Sequence, residues 1–232
     1  MGGKNKGANR TKNNARPSNS GRSVAMLNAS VPQFAGLSGI KEASGFPTFA
    51  LNTVEEFDSS IDGSFQLVLK KISKKDSTTK LKGLQEFADL IKSAEPDVVK
   101  AVLPVWPRFF NVLATDANGR VREATHNVHH QIVTKVKRNI APYLKQLMPP
   151  WFTSQYDNYP PAASAAVKAF KDTFSNEKFQ EAIIFCQEEI LNYINDNLLI
   201  QTAETISGKQ ATREETEAKY ERVLIACLQG YA

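Results

Sequence analysis

The chain has 232 residues, of which 41% are apolar, 23% charged and 9% aromatic, and 29 basic side chains face 24 acidic ones. That length is ample for a core of its own. No run of 18 apolar residues is present to cross a bilayer, and the N-terminus carries no apolar segment of the secretory type. Two cysteines, Cys186 and Cys227, make no disulfide scaffold, so reduced thiols in the cytosol are expected.

In chain order, the first feature is a basic tail. Lys4, Lys6, Arg10, Lys12, Arg16 and Arg22 precede the first acid, Glu42, among Gly, Asn and Ser with few large apolar groups. Such a segment buries too little surface to offset its ordering entropy, so residues 1–23 are expected to be disordered. A polybasic arm suits phosphate partners through counterion release, and a solubilising tail is the plainer alternative. A mitochondrial presequence needs an apolar helical face that is missing, and Lys6 stands where a myristoylation signal wants Ser or Thr. Residues 24–52, with Pro32, Gly36, Gly39, Gly45 and Pro47, read as a linker, so 1–52 form tail and linker and 53–232 the folded body.

From Thr53 onward apolar residues recur at helical spacing, with capping-box pairs at Thr53/Glu56 and Thr212/Glu215. The pattern predicts helices over 53–60, 63–73, 77–94, 97–115, 120–139, 141–156, 161–174, 176–200 and 212–229. Pro104 and Pro107 should kink the 97–115 helix. Phe179, Ile183, Cys186, Ile190 and Ile194 make one apolar stripe, and Tyr220, Leu224, Cys227 and Leu228 another. No alternating run suggests a strand.

The body also repeats. An Asp is followed at +5, +8 and +12 by apolar residues in three sets: Asp76, Leu81, Leu84, Ala88; then Asp116, Val121, Ala124, Val128; then Asp157, Ala162, Ala165, Ala169. The offsets are 40 and 41 residues, and Leu103 matches Leu144 and Phe110 matches Trp151 at 41. A period near 40 with two helices per unit is that of HEAT repeats. The expected fold is all-α, a HEAT/ARM-type helical-repeat solenoid, with each Asp at the turn where it accepts from free N–H groups of the second helix.

No phosphate loop, dinucleotide fingerprint or nucleophile elbow is present. His126, His129 and His130 share one predicted helix. Glu123 with His126 is half of a di-iron arrangement, and His126 with His130 lacks a third ligand, so no metal is expected and the histidines should be exposed or at the edge of the core. Both cysteines lie on apolar faces and should pack rather than react. Basic residues cluster at the turns: Lys70, Lys71, Lys74, Lys75, Lys80 and Lys82 at the first, Arg120 and Arg122 at the second, with Lys135, Lys137 and Arg138 ending that helix. Equivalent turns stack along one edge of a solenoid, so Lys74–Lys75 and Arg120–Arg122 should be neighbours on a ridge suited to phosphate, against the plainer reading of solvated helix ends.

Several strings resemble the N-terminal domain of the listerin family, RING-type ubiquitin ligases of ribosome-associated quality control. They are Met1-Gly-Gly-Lys-Asn-Lys6, Arg16-Pro-Ser-Asn-Ser-Gly-Arg22, Leu69-Lys-Lys-Ile-Ser-Lys-Lys-Asp76, Thr79-Lys-Leu-Lys82, Arg120-Val-Arg-Glu-Ala-Thr125 and Ala141-Pro-Tyr-Leu-Lys145. The resemblance spreads over most of residues 1–190. It implies docking on the large ribosomal subunit, through rRNA and ribosomal proteins, beside a protein of the nuclear export mediator factor family. It also implies a cytosolic monomer with no membrane contact. The family's catalytic RING holds two zinc ions with four Cys or His ligands each, and two Cys with three His cannot supply them. The chain is therefore expected to be a non-catalytic fragment of a longer ligase, with zinc only in the RING outside it. A HEAT scaffold binding only proteins is the alternative.

Overall fold

The computed structural model describes residues 60–207 and 211–232. The expected tail and linker over 1–52, the Thr53/Glu56 box and nearly all of the 53–60 helix lie outside them. Every regular element among the described residues is a helix, and there is no strand among them.

Helix α1 (Gly63–Ile72) starts on Asp62, whose side chain accepts from Ser64 N–H, and buries Phe65, Val68, Leu69 and Ile72, one face at helical spacing. Helix α2 (Ser77–Ser93) starts on Asp76, which accepts from Thr79 N–H, and buries Leu84, Phe87, Ala88 and Ile91. The two close tightly because Gly83 has no side chain: a Cβ there would stand 2.8 Å from Ile72 Cγ2.

The next hairpin differs from expectation. The 97–115 helix is broken rather than kinked, into α3 (Pro96–Lys100) and α4 (Trp106–Leu113). Pro104 sits in the turn between them, and Pro107 falls in the first turn of α4, where its missing N–H leaves no bond unmade. Helix α5 (Gly119–Val136) stops short of 139 because Lys137 turns to φ 51°, the one positive-φ non-glycine residue among those described. A 3₁₀ stretch (Lys137–Tyr143) containing Pro142 leads into α6 (Leu144–Thr153), another 3₁₀ turn (Ser154–Tyr156) and α7 (Pro160–Thr173), so the 141–156 helix is three pieces. The 176–200 helix also divides. Helix α8 (Asn176–Phe185) ends at Cys186, α9 (Gln187–Asn195) follows, and a π-turn (Asp196–Ile200) closes with Gln201 N–H donating to Asp196 O at 2.8 Å. A short α10 (Ala203–Ile206) was not foreseen, and α11 (Arg213–Tyr231) starts on the expected Thr212/Glu215 box.

Helices α2, α5 and α7 lie side by side in one row, and α4, α6 and α9 in a second, giving the stacked hairpins of a helical-repeat solenoid. The matched pairs Leu103/Leu144 and Phe110/Trp151 are all buried. Of the repeated sets, Leu84, Ala88, Val121, Val128, Ala162, Ala165 and Ala169 are buried, with Leu81 and Ala124 partly so. Helix α11 lies against α6, α9, the 154–156 turn and the π-turn. It buries Val223, Ala226 and Cys227, whereas Leu228, assigned above to its apolar stripe, is exposed. Both cysteines are free and buried, and burial pushes their thiols up, to about 11 at Cys186 and about 12 at Cys227.

Aromatic rings run through the stack. Phe65 meets Phe87 at 5.7 Å, Phe87 meets Trp106 at 5.5 Å, Phe110 and Trp151 each meet His129 at 4.3 Å, and Trp151 stacks on Phe170 at 4.0 Å. Two of the histidines expected at the edge of the core are thus inside it, His126 and His129, because the helix turns them into this ring column. Trp106 Nε1 donates to His129 Nδ1 at 3.1 Å, which leaves the imidazole proton on Nε2. Neither nitrogen of His126, nor Nε2 of His129, has a hydrogen-bond partner. His130 sits nearer the surface and pairs with Asp172 at 3.0 Å.

Burial holds His126 down to about 4 and His129 well below the usual imidazole range. Below pH 6.5 the unfolded chain takes up protons that these folded histidines refuse, so stability falls as pH falls from 6.5 towards 4. The slope is about 1.4 kcal/mol per pH unit for each histidine. Urea unfolding should show a midpoint level above pH 7 and declining below 6.5, and His126→Leu should remove roughly half of that decline.

Candidate nucleic-acid interface

The turn edge expected to carry a phosphate-binding ridge is built differently from the inside. Asp76 caps α2, and hydrogen bonds from the Thr79 hydroxyl and N–H hold its carboxyl below the usual range. In the next two turns the Asp stands further ahead of its helix. The caps there are Asn118, which accepts from Arg120 N–H at 2.9 Å, and Tyr159. Asp116 and Asp157 instead accept from the N–H two residues on, at Asn118 (2.9 Å) and Tyr159 (2.8 Å), and thereby shape the loops.

Both carboxylates also receive a cation from the preceding hairpin. Lys80, one turn into α2, pairs with Asp116, and both side chains are largely buried. Arg122, in the first turn of α5, forks onto Asp157 through Nε at 2.6 Å and Nη2 at 2.7 Å. Its Nη1 donates to the carbonyls of Asp116 (2.8 Å) and Ala117 (3.2 Å), and Nη2 reaches Asn158 Oδ1 at 3.3 Å. With 3% of the side chain exposed, Arg122 is an interior strut. The result is a ladder, Lys80–Asp116 then Arg122–Asp157, stitching each hairpin to the next.

The predicted site residues therefore separate. Lys80 and Arg122 are committed to the ladder, because two buried aspartates need cations. Lys71 is exposed and pairs with Glu86 at 2.5 Å. Lys70, Lys74, Lys75, Lys82 and Arg120 are exposed. Lys135 donates to Lys92 O at 3.1 Å, while Lys137 and Arg138 are exposed beyond the end of α5.

The sequence reading missed the contribution of α11. Arg222 Nη2 donates to the carbonyls of Thr115 (3.1 Å) and Asp116 (3.0 Å), so α11 roofs the second turn. Burial pushes Arg222 down to about 10, with Arg122 adding to the effect. Lys219, one turn earlier on the same face, is held down to about 8 by burial first and then by Arg222, Lys80 and Arg122, against the pull of Asp116. The available signal was the spacing Lys219, Arg222, Val223, Ala226, which puts two cations on the buried line. Among the described residues no group of three His, Cys, Asp or Glu is placed to hold a metal.

Stacked helical hairpins joined by buried cation–carboxylate rungs define a helical-repeat domain. The chain belongs to the listerin family: residues 58–232 match the model for the N-terminal domain of E3 ubiquitin-protein ligase listerin. It is 46% identical to proteins of that name from Gallus gallus and Mus musculus, and 44% identical to the one from Drosophila melanogaster, in each case over 98% of this chain. The chain spans only 13% to 14% of the length of those relatives.

Removing Arg122 strands Asp157 as an unpaired buried carboxylate. Arg122→Ala should cost about 3–5 kcal/mol in urea unfolding, whereas joining Arg122→Met to Asp157→Leu should recover most of that loss.

Proposed function

We propose that this chain is the ribosome-docking segment of a RING-type ubiquitin ligase that marks stalled nascent chains on the large ribosomal subunit. The observation that carries this reading is membership of the listerin family over residues 58–232. The transferase step belongs to a zinc-bearing RING outside these 232 residues, and this HEAT-like segment supplies position. Lys74, Lys75, Lys82 and Arg120 lie exposed near the first two turns and suit the phosphates of rRNA through charge and counterion release. A protein of the nuclear export mediator factor family is the proposed neighbour on the subunit, in the cytosol, with the chain acting as a monomer.

A protein-only scaffold is the rival reading. It is favoured by the exposed apolar side chains Ile184, Phe185, Leu191, Leu199 and Ile200 along α8, α9 and the π-turn. Salt separates the two, since an apolar contact responds little to ionic strength.

Sedimentation with purified large subunits should show binding that weakens steeply from 50 to 200 mM salt. The combined variant Lys74→Glu, Lys82→Glu, Arg120→Glu should reduce affinity by about tenfold or more while leaving the unfolding midpoint near that of the parent. Arg122 and Lys80 are left intact because the fold uses them. Binding that ignores both salt and charge reversal would assign the chain to the protein-only reading.

A further inference from the structure

Where α11 crosses the second turn, the charges do not balance. Four cations, Lys80, Arg122, Lys219 and Arg222, gather around two carboxylates, Asp116 and Asp157. Two of the four are matched: Lys80 by Asp116 and Arg122 by Asp157. Arg222 is held by neutral carbonyl oxygens alone, those of Thr115 and Asp116. Lys219 makes no hydrogen bond or ion pair with any described residue, although its side chain is only partly exposed; its ammonium feels the pull of Asp116, which Lys80 already pairs, and the repulsion of all three other cations. A half-buried ammonium beside a guanidinium, with no carboxylate of its own, is electrostatically costly, and helix packing gains nothing from keeping it charged.

From this arrangement we infer that Lys219 and Arg222, with Lys80 behind them, form a binding site for a phosphate group between α11 and the 114–118 turn. The excess of two positive charges matches a phosphate dianion or two diester groups. Arg222 is already fixed by its two carbonyl bonds, so one arm of the site is preorganised. Partial exposure of Lys219 leaves the anion a way in from solvent. Burial first, and then the neighbouring cations Arg222, Lys80 and Arg122 against the pull of Asp116, hold Lys219 down to about 8. The site does not rest on the ribosome reading, because free phosphate is enough to occupy it.

The test compares unfolding midpoints of the 232-residue chain in inorganic phosphate and in chloride at matched ionic strength, at pH 7. Phosphate should raise the midpoint by about 3 °C, the shift expected for a ligand well above its dissociation constant. Lys219→Gln should abolish that rise while keeping a chloride midpoint at or above the parent's, since it removes an unpaired charge and breaks no hydrogen bond or ion pair. Lys219→Arg should retain the rise. A short single-stranded RNA in a parallel arm distinguishes the source: protection by RNA and phosphate identifies the nucleic-acid backbone, and protection by phosphate alone a small free anion. Equal stabilisation of parent and Lys219→Gln by phosphate, no stabilisation of either, or equal protection by polyglutamate would overturn the assignment.

Discussion

The fold depends on the fork between Arg122 and Asp157 and on its lesser counterpart between Lys80 and Asp116. Each carboxylate is largely taken out of water to shape a loop by accepting from the N–H two residues on, and it still needs a counter-charge. The cation from the preceding hairpin supplies it. Loop geometry and hairpin stacking thus become one interaction, and neither unit can shift along the other without leaving a buried charge alone. Apolar burial alone would hold the helices together but would tolerate sliding; the rungs fix the register.

That economy has a cost for function. Sequence charge at a turn looks available for phosphate, yet the two cations best placed on the repeat are consumed by the structure. The side chains left at the surface are fewer and belong to the first turn and the start of α5. Helix α11 further changes the edge by laying Arg222 and Lys219 over the second turn. The electropositive character of this edge therefore arises from a C-terminal helix a hundred residues away in sequence as much as from the repeats.

Much of this was legible in the residues. The 40-residue spacing of Asp76, Asp116 and Asp157 and of the apolar positions behind them identified the hairpins, because stacking requires the same face at the same place in each unit. The matched positions Phe110 and Trp151 both fall in the ring column, for the same reason. The breaks were harder. Cys186 ends α8 without any proline or glycine nearby, and its N–H bonds to two carbonyls at once, Ala182 and Ile183. Lys137 reverses the chain with an ordinary side chain. Both are decided by what the next helix must pack against, which local propensity does not encode. The ladder is half visible: the spacing marks the aspartates, but their partners Lys80 and Arg122, some 35 residues earlier in the chain, read as surface cations, since periodicity says which face a residue occupies and not which charge awaits it there.

The ring column has a consequence for how the domain fails. Solenoids commonly melt piecemeal, each repeat answering only to its neighbours. Here the rings run unbroken from Phe65 in the first hairpin to Phe170 in the third, some edge to face and some stacked, and joined through one imidazole. Loss of any member opens a void that its neighbours on both sides must share. The three hairpins are thereby tied to one another by shared ring packing as well as by the charged rungs.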